Sequence, residues 1–334
     1  MALGCGIVRT CARRIVSGVR PRPPSRPPQR VLQAPVPASA RIGTTDSPIP
    51  GVSSSAKRAC APVPVAAATS SSQVQRVFIP TGEDLVELVI PAPDEEVLPG
   101  IAWGRVDQFL TPAYWRVRAC SAELSGEADE QFALGATLFE EVAACLLGGH
   151  GIPAEVGLAA YERLRVLGLL DGTPHDAGTL AEALAEPLLV GKRRVRYRFA
   201  RQRSAYLGEC LRRLANDRPA QRDDRMFRNW LASLPGLGLK TASWVTRNHR
   251  ASDAVAILDV HLHRAGVVAG FFFPRHALAH DYHEMEDRFI GFGWTIGVRP
   301  SVLDALMWRD MKVAGRIGRQ LYHLRLSRGA VEVS

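Results

Sequence analysis

The chain has no cysteine pair at metal-ligand spacing: Cys5, Cys11, Cys60, Cys120, Cys145 and Cys210 are scattered, and none follows Cys210. Such scatter is that of reduced intracellular thiols rather than of a cysteine-held metal. The histidines offer no zinc pattern either, because His261 and His263 are two apart and point to different sides of a helix. No stretch approaches eighteen consecutive apolar residues, which excludes a membrane span. Acidic residues are missing before Asp46. Residues 1–76, rich in Pro, Ser, Ala and Arg, lack any sustained period and cannot bury enough apolar surface to order themselves. They read as a basic tail or a targeting segment, or as the product of a misplaced start codon. The recurrence of Leu3, Ile7, Cys11 and Ile15 beside arginines keeps a mitochondrial presequence open against a protein of the cytoplasm and nucleoid. Lysine is also scarce, with only a handful among the 42 Lys+Arg residues.

The net charge of +9 is unevenly spread. Residues 1–77 carry +10, residues 78–190 carry −14 and residues 191–334 carry +13. A basic C-terminal part, with aromatics interleaved in Lys192-Arg-Arg-Val-Arg-Tyr-Arg-Phe-Ala-Arg-Gln-Arg203, is the footprint expected of a face that binds duplex DNA. Apolar periodicity predicts successive helices over 132–147, 155–169, 179–190, 197–215, 226–234, 240–247, 260–270, 282–291 and from 301 through 312 onward. Strand-like alternation is confined to Val77-Phe-Ile and Leu85–Ile90, so a β-hairpin is expected near the N-terminal side. The implied organisation is a tail over 1–76, an acidic segment packed on the core over 77–133, and a mainly α domain over 134–334.

Within that domain, Leu231-Ala-Ser-Leu-Pro-Gly-Leu-Gly-Leu-Lys240-Thr-Ala-Ser-Trp244 reads as two helices joined by a tight turn. Gly236 and Gly238 can take φ > 0 and carry no Cβ, so their N–H groups can approach another molecule's backbone closely. Those amides lie at a helix N-terminus, which favours a phosphate. Lys240 follows in the first turn, where desolvation and the helix end favour a neutral, nucleophilic amine. Nineteen residues further on, Asp259 closes the apolar run Val255–Leu258 and opens the next helix. There it can cap the helix, act on Lys240, or do both.

This block resembles the helix-hairpin-helix DNA glycosylase superfamily, specifically its lysine-bearing 8-oxoguanine DNA glycosylase branch. In that branch a Leu-Pro-Gly-x-Gly-x-Lys hairpin is followed at the same spacing by Asp-x-His, matching Lys240, Asp259 and His261. The wording Ala256-Ile-Leu-Asp259 and Thr246-Arg-Asn248 is similar to the compact archaeal and bacterial members, as is the basic-aromatic segment Arg196–Tyr206. The chain has no cysteine after Cys210, and so no four-cysteine iron–sulfur loop of the kind found in other branches.

The resemblance implies a fold of two helical lobes and a glycosylase/lyase acting on duplex DNA with a damaged base, as a monomer. Lys240 would attack C1′ of a flipped nucleotide and Asp259 would support it. Gly236, Gly238, His261, Arg198 and Arg203 would contact DNA phosphates. Trp244, Asp304 and Trp308 would form the base pocket, and His150, in the loop Gly148–Pro153, would supply the strand-separating wedge. No cofactor is required, although the carbonyls of Ala232, Leu234 and Leu237 match a monovalent-cation site. Two other readings stay open: the same lysine chemistry on a different modified or alkylated base, for which Trp244 and the acidic segment are the motive, and a non-catalytic DNA-binding module that uses the hairpin only as a phosphate grip.

Overall fold

A computed structural model describes residues 73–82, 84–129, 132–149, 151–217 and 223–331. Two short hairpins come first: β1 (Gln75–Thr81) pairs antiparallel with β2 (Asp84–Ile90), and β3 (Glu96–Leu98) with β4 (Ile101–Ala102). Helices follow: α1 (Pro112–Leu124), α2 (Leu138–Leu147), α3 (Ala154–Val166) and α4 (Ala177–Ala185). A third antiparallel pair, β5 (Leu188–Val190) and β6 (Arg193–Val195), precedes α5 (Ala200–Asn216) and α6 (Asp224–Ala232). The chain then runs through α7 (Leu239–Arg250), α8 (Val260–Ala269), α9 (Tyr282–Thr295), α10 (Pro300–Ala314) and α11 (Arg316–Val331).

The main helix contacts fall into two groups. In the first, α2 packs on α3, α5 and α7, α4 packs on α3 and α5, and α6 packs on α7. In the second, α10 packs on α1, α8, α9 and α11, and α8 also packs on α11. The expected mainly α architecture of two lobes is therefore present. A continuous apolar cluster runs through both lobes and includes Ile79, Leu88 and Ile90 of the first hairpin and Trp103, Leu110 and Trp115 beyond it. Residues 75–124 thus share the core of the helical domain. Among the described residues no helix is long and apolar enough to cross a membrane, and no group of His, Cys, Asp and Glu could hold a metal ion.

Several local expectations are corrected. Helix α1 lies outside every predicted helix although it carries a clear start signal, Thr111 capping the amide of Tyr114 with proline at the first helical position;. The helix expected over 132–147 begins only at Leu138, and Phe132 instead lies under the Arg247 guanidinium at 4.5 Å. The helix expected over 179–190 stops at Ala185, because Pro187 cannot continue it;. Leu188–Val190 turns into β5, with Gly191 at φ 60° in the hairpin turn. The helix expected from Tyr197 starts at Ala200. Cys145 and Cys210 are free and buried, as expected of reduced thiols.

Candidate active site

Helix α6 ends at Ala232, and the turn to α7 is closed by the Leu237 amide donating to the Leu234 carbonyl at 3.2 Å. Leu234 and Leu237 point inward and are each 2 % exposed, so their burial fixes the turn;. That places the carbonyls of Ala232, Leu234 and Leu237 in and beside one turn. Gly236 has φ 77°, and a Cβ there would stand 2.5 Å from the Tyr206 ring. Gly238 differs from expectation: its φ of −76° and ψ of 172° are extended, not left-handed. It is the N-cap of α7, makes no side-chain cap, and has open space where a Cβ would point. The first amides of α7 therefore lie behind an unobstructed, electropositive helix end.

Lys240 is the second residue of α7, and its side chain is one-third exposed (33 %). Its Nζ lies 4.0 Å from Oδ2 of Asp259, whose side chain is only 6 % exposed. The two carboxylate oxygens of Asp259 have different partners. Oδ1 accepts the amides of His261 at 2.7 Å and Leu262 at 3.1 Å, capping α8, which leaves Oδ2 turned toward the lysine. Capping and lysine contact are thus compatible in one side chain.

The segment that delivers Asp259 has no strand partner, and side chains from the last helices hold it. Glu286 on α9 accepts the Ala256 amide at 3.0 Å, Asp304 on α10 accepts the Ile257 amide at 3.0 Å, and the Tyr282 hydroxyl accepts the Leu258 amide at 3.3 Å while donating to the Ala256 carbonyl at 2.7 Å. Three successive amides are pinned in this way. Glu286 is itself fixed by a bidentate pair with Arg228 of α6 at 2.8 and 2.9 Å, both side chains being 1 % exposed, and Arg228 also donates to Ser243 of α7. One buried network therefore registers the lysine helix against the aspartate segment. Of these residues only Asp304 stands out in the sequence. Arg228, Ser243, Tyr282 and Glu286 look like ordinary helix residues, and the one signal is the run of four apolar residues before Asp259, too short for a helix and without strand neighbours.

His261 is half-buried, which holds its imidazole below the ordinary histidine range despite the counter-pull of Asp259. The Trp308 ring meets it edge-on at 6.5 Å, and the Lys312 ammonium lies 4.7 Å over Trp308. Asp304, 1 % exposed, feels both Lys240 and Asp259 and is pushed up to about 6, chiefly by burial. Its Oδ2 is 3.6 Å from Arg247, and its Oδ1 is buried without a hydrogen bond, as is the Trp308 indole N–H. Arg247 in turn donates to Asn248, whose amide donates to Glu141 on α2 at 2.7 Å.

The structure thus gathers Lys240, Asp259, His261, Asp304 and Trp308. It does not place Trp244 with them as a pocket wall: this side chain is 1 % exposed, belongs to the core cluster and reaches toward Gly148 at the end of α2. The expected stacking role is corrected, because a ring packed on all sides offers no face to a base. Arg198 is exposed and lies over the Phe199 ring, and Arg203 is half-buried on α5. His150 lies outside the described residues.

With this geometry in hand, comparison with known proteins is specific. Residues 127–298 match the family described as 8-oxoguanine DNA glycosylase. That span contains the hairpin, Lys240, Asp259 and His261, while Asp304 and Trp308 lie just beyond it. Among solved structures, the 8-oxoguanine DNA glycosylase of Methanocaldococcus jannaschii is 24 % identical over 51 % of this chain and 76 % of its own, with a TM-score of 0.41. The 8-oxoguanine glycosylase/lyase of the same organism, in complex with a 15mer DNA containing 8-oxoguanine, is 21 % identical over 58 % of this chain and 95 % of its own, with a TM-score of 0.45. The 8-oxoguanine DNA glycosylase of Thermotoga maritima is 26 % identical over 51 % of this chain and 77 % of its own, with a TM-score of 0.41. No curated protein matches. The family match spans more than half of the chain and covers the hairpin, the lysine and the aspartate together, and the chain belongs to the 8-oxoguanine DNA glycosylase family.

Proposed function

We propose that this protein removes an oxidised purine, foremost 8-oxoguanine, from duplex DNA and then nicks the strand through a Schiff base on Lys240. The observation that carries this reading is the approach of Lys240 Nζ to Asp259 Oδ2 at 4.0 Å directly behind the open end of α7. A phosphate grip alone has no use for a buried carboxylate aimed at the lysine.

The nucleotide must leave the stack before its C1′ can be reached. Amides at the turn of Gly236 and Gly238 would hold a phosphate at the end of α7, and Arg198, Arg203 and His261 would hold others. His261, neutral above its lowered pKa, would serve as a hydrogen-bond donor rather than as a cation. Asp304 and Trp308, only 1 % and 4 % exposed, the latter in the same core cluster as Trp244, would back the pocket from beneath rather than offer an open face to the base. The Lys240 amine, in its neutral form, attacks C1′; the base departs with the electrons of the glycosidic bond and takes up a proton. Asp259 Oδ2 supports the positive charge growing on the sugar and accepts the proton released by the amine. O4′ takes up a proton as the C1′–O4′ bond breaks, which leaves C1′ joined to Lys240 as a Schiff base; loss of a C2′ proton then expels the 3′ phosphate by breaking the C3′–O bond, and water hydrolyses the imine to free the lysine. Carbonyl oxygens of Ala232, Leu234 and Leu237 are neutral, hard donors that suit a monovalent cation, which would add positive charge beside the phosphate.

Borohydride trapping on a panel of duplexes, each with one defined lesion, tests the proposal. Wild type should cross-link to an 8-oxoguanine duplex and excise the base, and Lys240→Gln should do neither while binding the duplex nearly as well. Excision and trapping by Lys240→Gln at the wild-type rate would remove the lysine from the mechanism. Trapping on a different lesion alone would move the substrate.

A further inference from the structure

The β5–β6 hairpin and the segment that leads from it into α5 carry an unneutralised run of cations. Lys192, Arg193, Arg194, Arg196, Arg198 and Arg201 are all exposed, and among the described residues none forms an ion pair. Some surface arginines behave differently: Arg105, Arg165 and Arg212 are each held at 2.6 Å by a carboxylate of their own, Asp107, Glu162 and Glu209, whereas exposed Arg275 and, on α11, Arg316, Arg319 and Arg325 are without an ion pair among the described residues. The hairpin is also seated firmly. Leu188 is buried at 1 %, while Leu189 and Arg194, paired across the strands, face outward. Three aromatic side chains tie the segment leaving β6, and α5 after it, to the end of α2, the loop beyond it and the turn before α7. Tyr197 donates its hydroxyl to the Leu147 carbonyl at the end of α2 at 2.7 Å. Phe199 lies 3.6 Å from where a Cβ of Gly151 would stand, in the loop after α2, and Tyr206 packs on Gly236 in the turn before Lys240.

We propose that this hairpin is a second DNA-binding element, which grips backbone phosphates of the duplex arm beside the lesion rather than the flipped nucleotide. The inference rests on the DNA-glycosylase reading above. Reach supports the placement: eight residues of extended chain at about 3.4 Å each and six helical residues at about 1.5 Å put Lys192 no more than about 36 Å from Tyr206, which packs on the Gly236 turn;. That is about ten base pairs at about 3.4 Å each, so the contact falls within one turn of the double helix. Free cations on a rigid hairpin suit a row of phosphates, and a contact of that kind carries no sequence information.

The test is a salt titration of binding with the triple variant Lys192→Gln/Arg193→Gln/Arg194→Gln, which alters only exposed side chains. On a duplex of about 30 base pairs with a central lesion, the slope of log K against log salt should become shallower by about 2–3, at about 0.9 for each phosphate no longer neutralised. On a duplex with about five base pairs either side of the lesion, variant and wild type should have the same slope. Single-turnover excision at saturating enzyme should stay within about twofold of wild type. A control variant, Arg105→Gln/Arg165→Gln/Arg212→Gln, removes the same charge from arginines that already have carboxylate partners and should leave the slope nearly unchanged. An unchanged slope for the hairpin variant, an equal change for the control, or a loss that persists on the short duplex would each overturn the inference. Failure of wild type to excise any base would instead count against the glycosylase reading, which separates the two.

Discussion

Two glycines in one turn should respond in opposite ways to the same added methyl. Gly236 sits at φ 77°, with Tyr206 Cδ2 at 2.5 Å and Leu146 Cδ1 at 3.0 Å from a Cβ position. Alanine there costs about 1–2 kcal/mol for the left-handed backbone and about 1–3 kcal/mol for overpacking, hence roughly 2–5 kcal/mol in all. In a domain of this size that is a drop of about 4–20 °C in melting temperature. Gly238 has an extended backbone and nothing within 4 Å of its Cβ position. Alanine there loses about 0.5–1 kcal/mol of N-cap preference and regains a similar amount, about 0.4–1 kcal/mol, from the stiffer unfolded chain, so stability should hardly move. Its methyl would, however, stand where a phosphate must come to reach the α7 amides. Losing one charge-assisted hydrogen bond, worth about 1.5–3 kcal/mol, weakens duplex affinity about 10- to 100-fold. Thermal denaturation and fluorescence anisotropy on a duplex carrying an abasic analogue, at one fixed salt concentration, read the two effects separately. A Gly238→Ala variant that binds as wild type would refute the idea that this helix end holds a phosphate. Equal destabilisation by both variants would refute the assignment of steric necessity to Gly236 alone.

What the sequence made legible is what spacing along the chain can encode. The turn ends two residues before Lys240 and Asp259 follows nineteen residues after it, and the local signals agree: a Pro-Gly-Leu-Gly turn, a helix start and a capping acid. The first hairpin was readable from its period-two alternation, and its strands pair from Gln75–Thr81 to Asp84–Ile90;. Helix α1 was not readable by period, because Pro112, Ala113, Trp115, Arg116, Ala119, Cys120 and Ala122 are buried around most of its circumference and leave no clean polar face;. The basic run from Lys192 was visible as charge, but whether it lay on a helix or a hairpin depended on Pro187 and Gly191 outweighing the helical pattern before them.

The site was legible only where its chemistry is carried by motif residues. Trp244, one turn after Lys240, is a pocket candidate by spacing, yet the packing of α2 on α7 buries it, and no local pattern encodes that contact. The three side chains that pin the amides of Ala256, Ile257 and Leu258 come from positions 24 to 47 residues away. Their role exists only once α9 and α10 fold over the segment. A carboxylate such as Glu286 reads in the sequence as one more solvated helix acid until its partner Arg228, 58 residues upstream, is brought against it.

Asp259→Asn should keep the Oδ1 cap on His261 and Leu262, and with it the melting temperature, while excision slows by about 10²–10⁴-fold; an unaltered single-turnover rate would leave the residue a cap only;. Tyr282→Phe strips the Leu258 amide and the Ala256 carbonyl of a shared partner, which should cost about 1–3 kcal/mol in urea denaturation and lower kcat more than it raises KM;. A KM effect alone would make Tyr282 irrelevant to how Asp259 is aimed. Asp304→Asn probes the buried acid through pH. Burial pushes Asp304 up to about 6, whereas in the unfolded chain an aspartate titrates at about 3.9;. The folded state therefore holds this proton more tightly, so the group's contribution to stability is full below about pH 4 and is lost as pH rises through 6;. A difference of about two in pKa corresponds to about 3 kcal/mol, with little screening at a site 1 % exposed;. Asparagine cannot titrate, so the variant should gain on wild type by up to about 3 kcal/mol between about pH 4 and about pH 7.5 in parallel denaturation series, whatever constant penalty it carries for losing the Arg247 pair. A difference between the two proteins that stays constant across that range would show that the Asp304 proton is not linked to folding, and that Arg247 alone neutralises the acid behind the lysine.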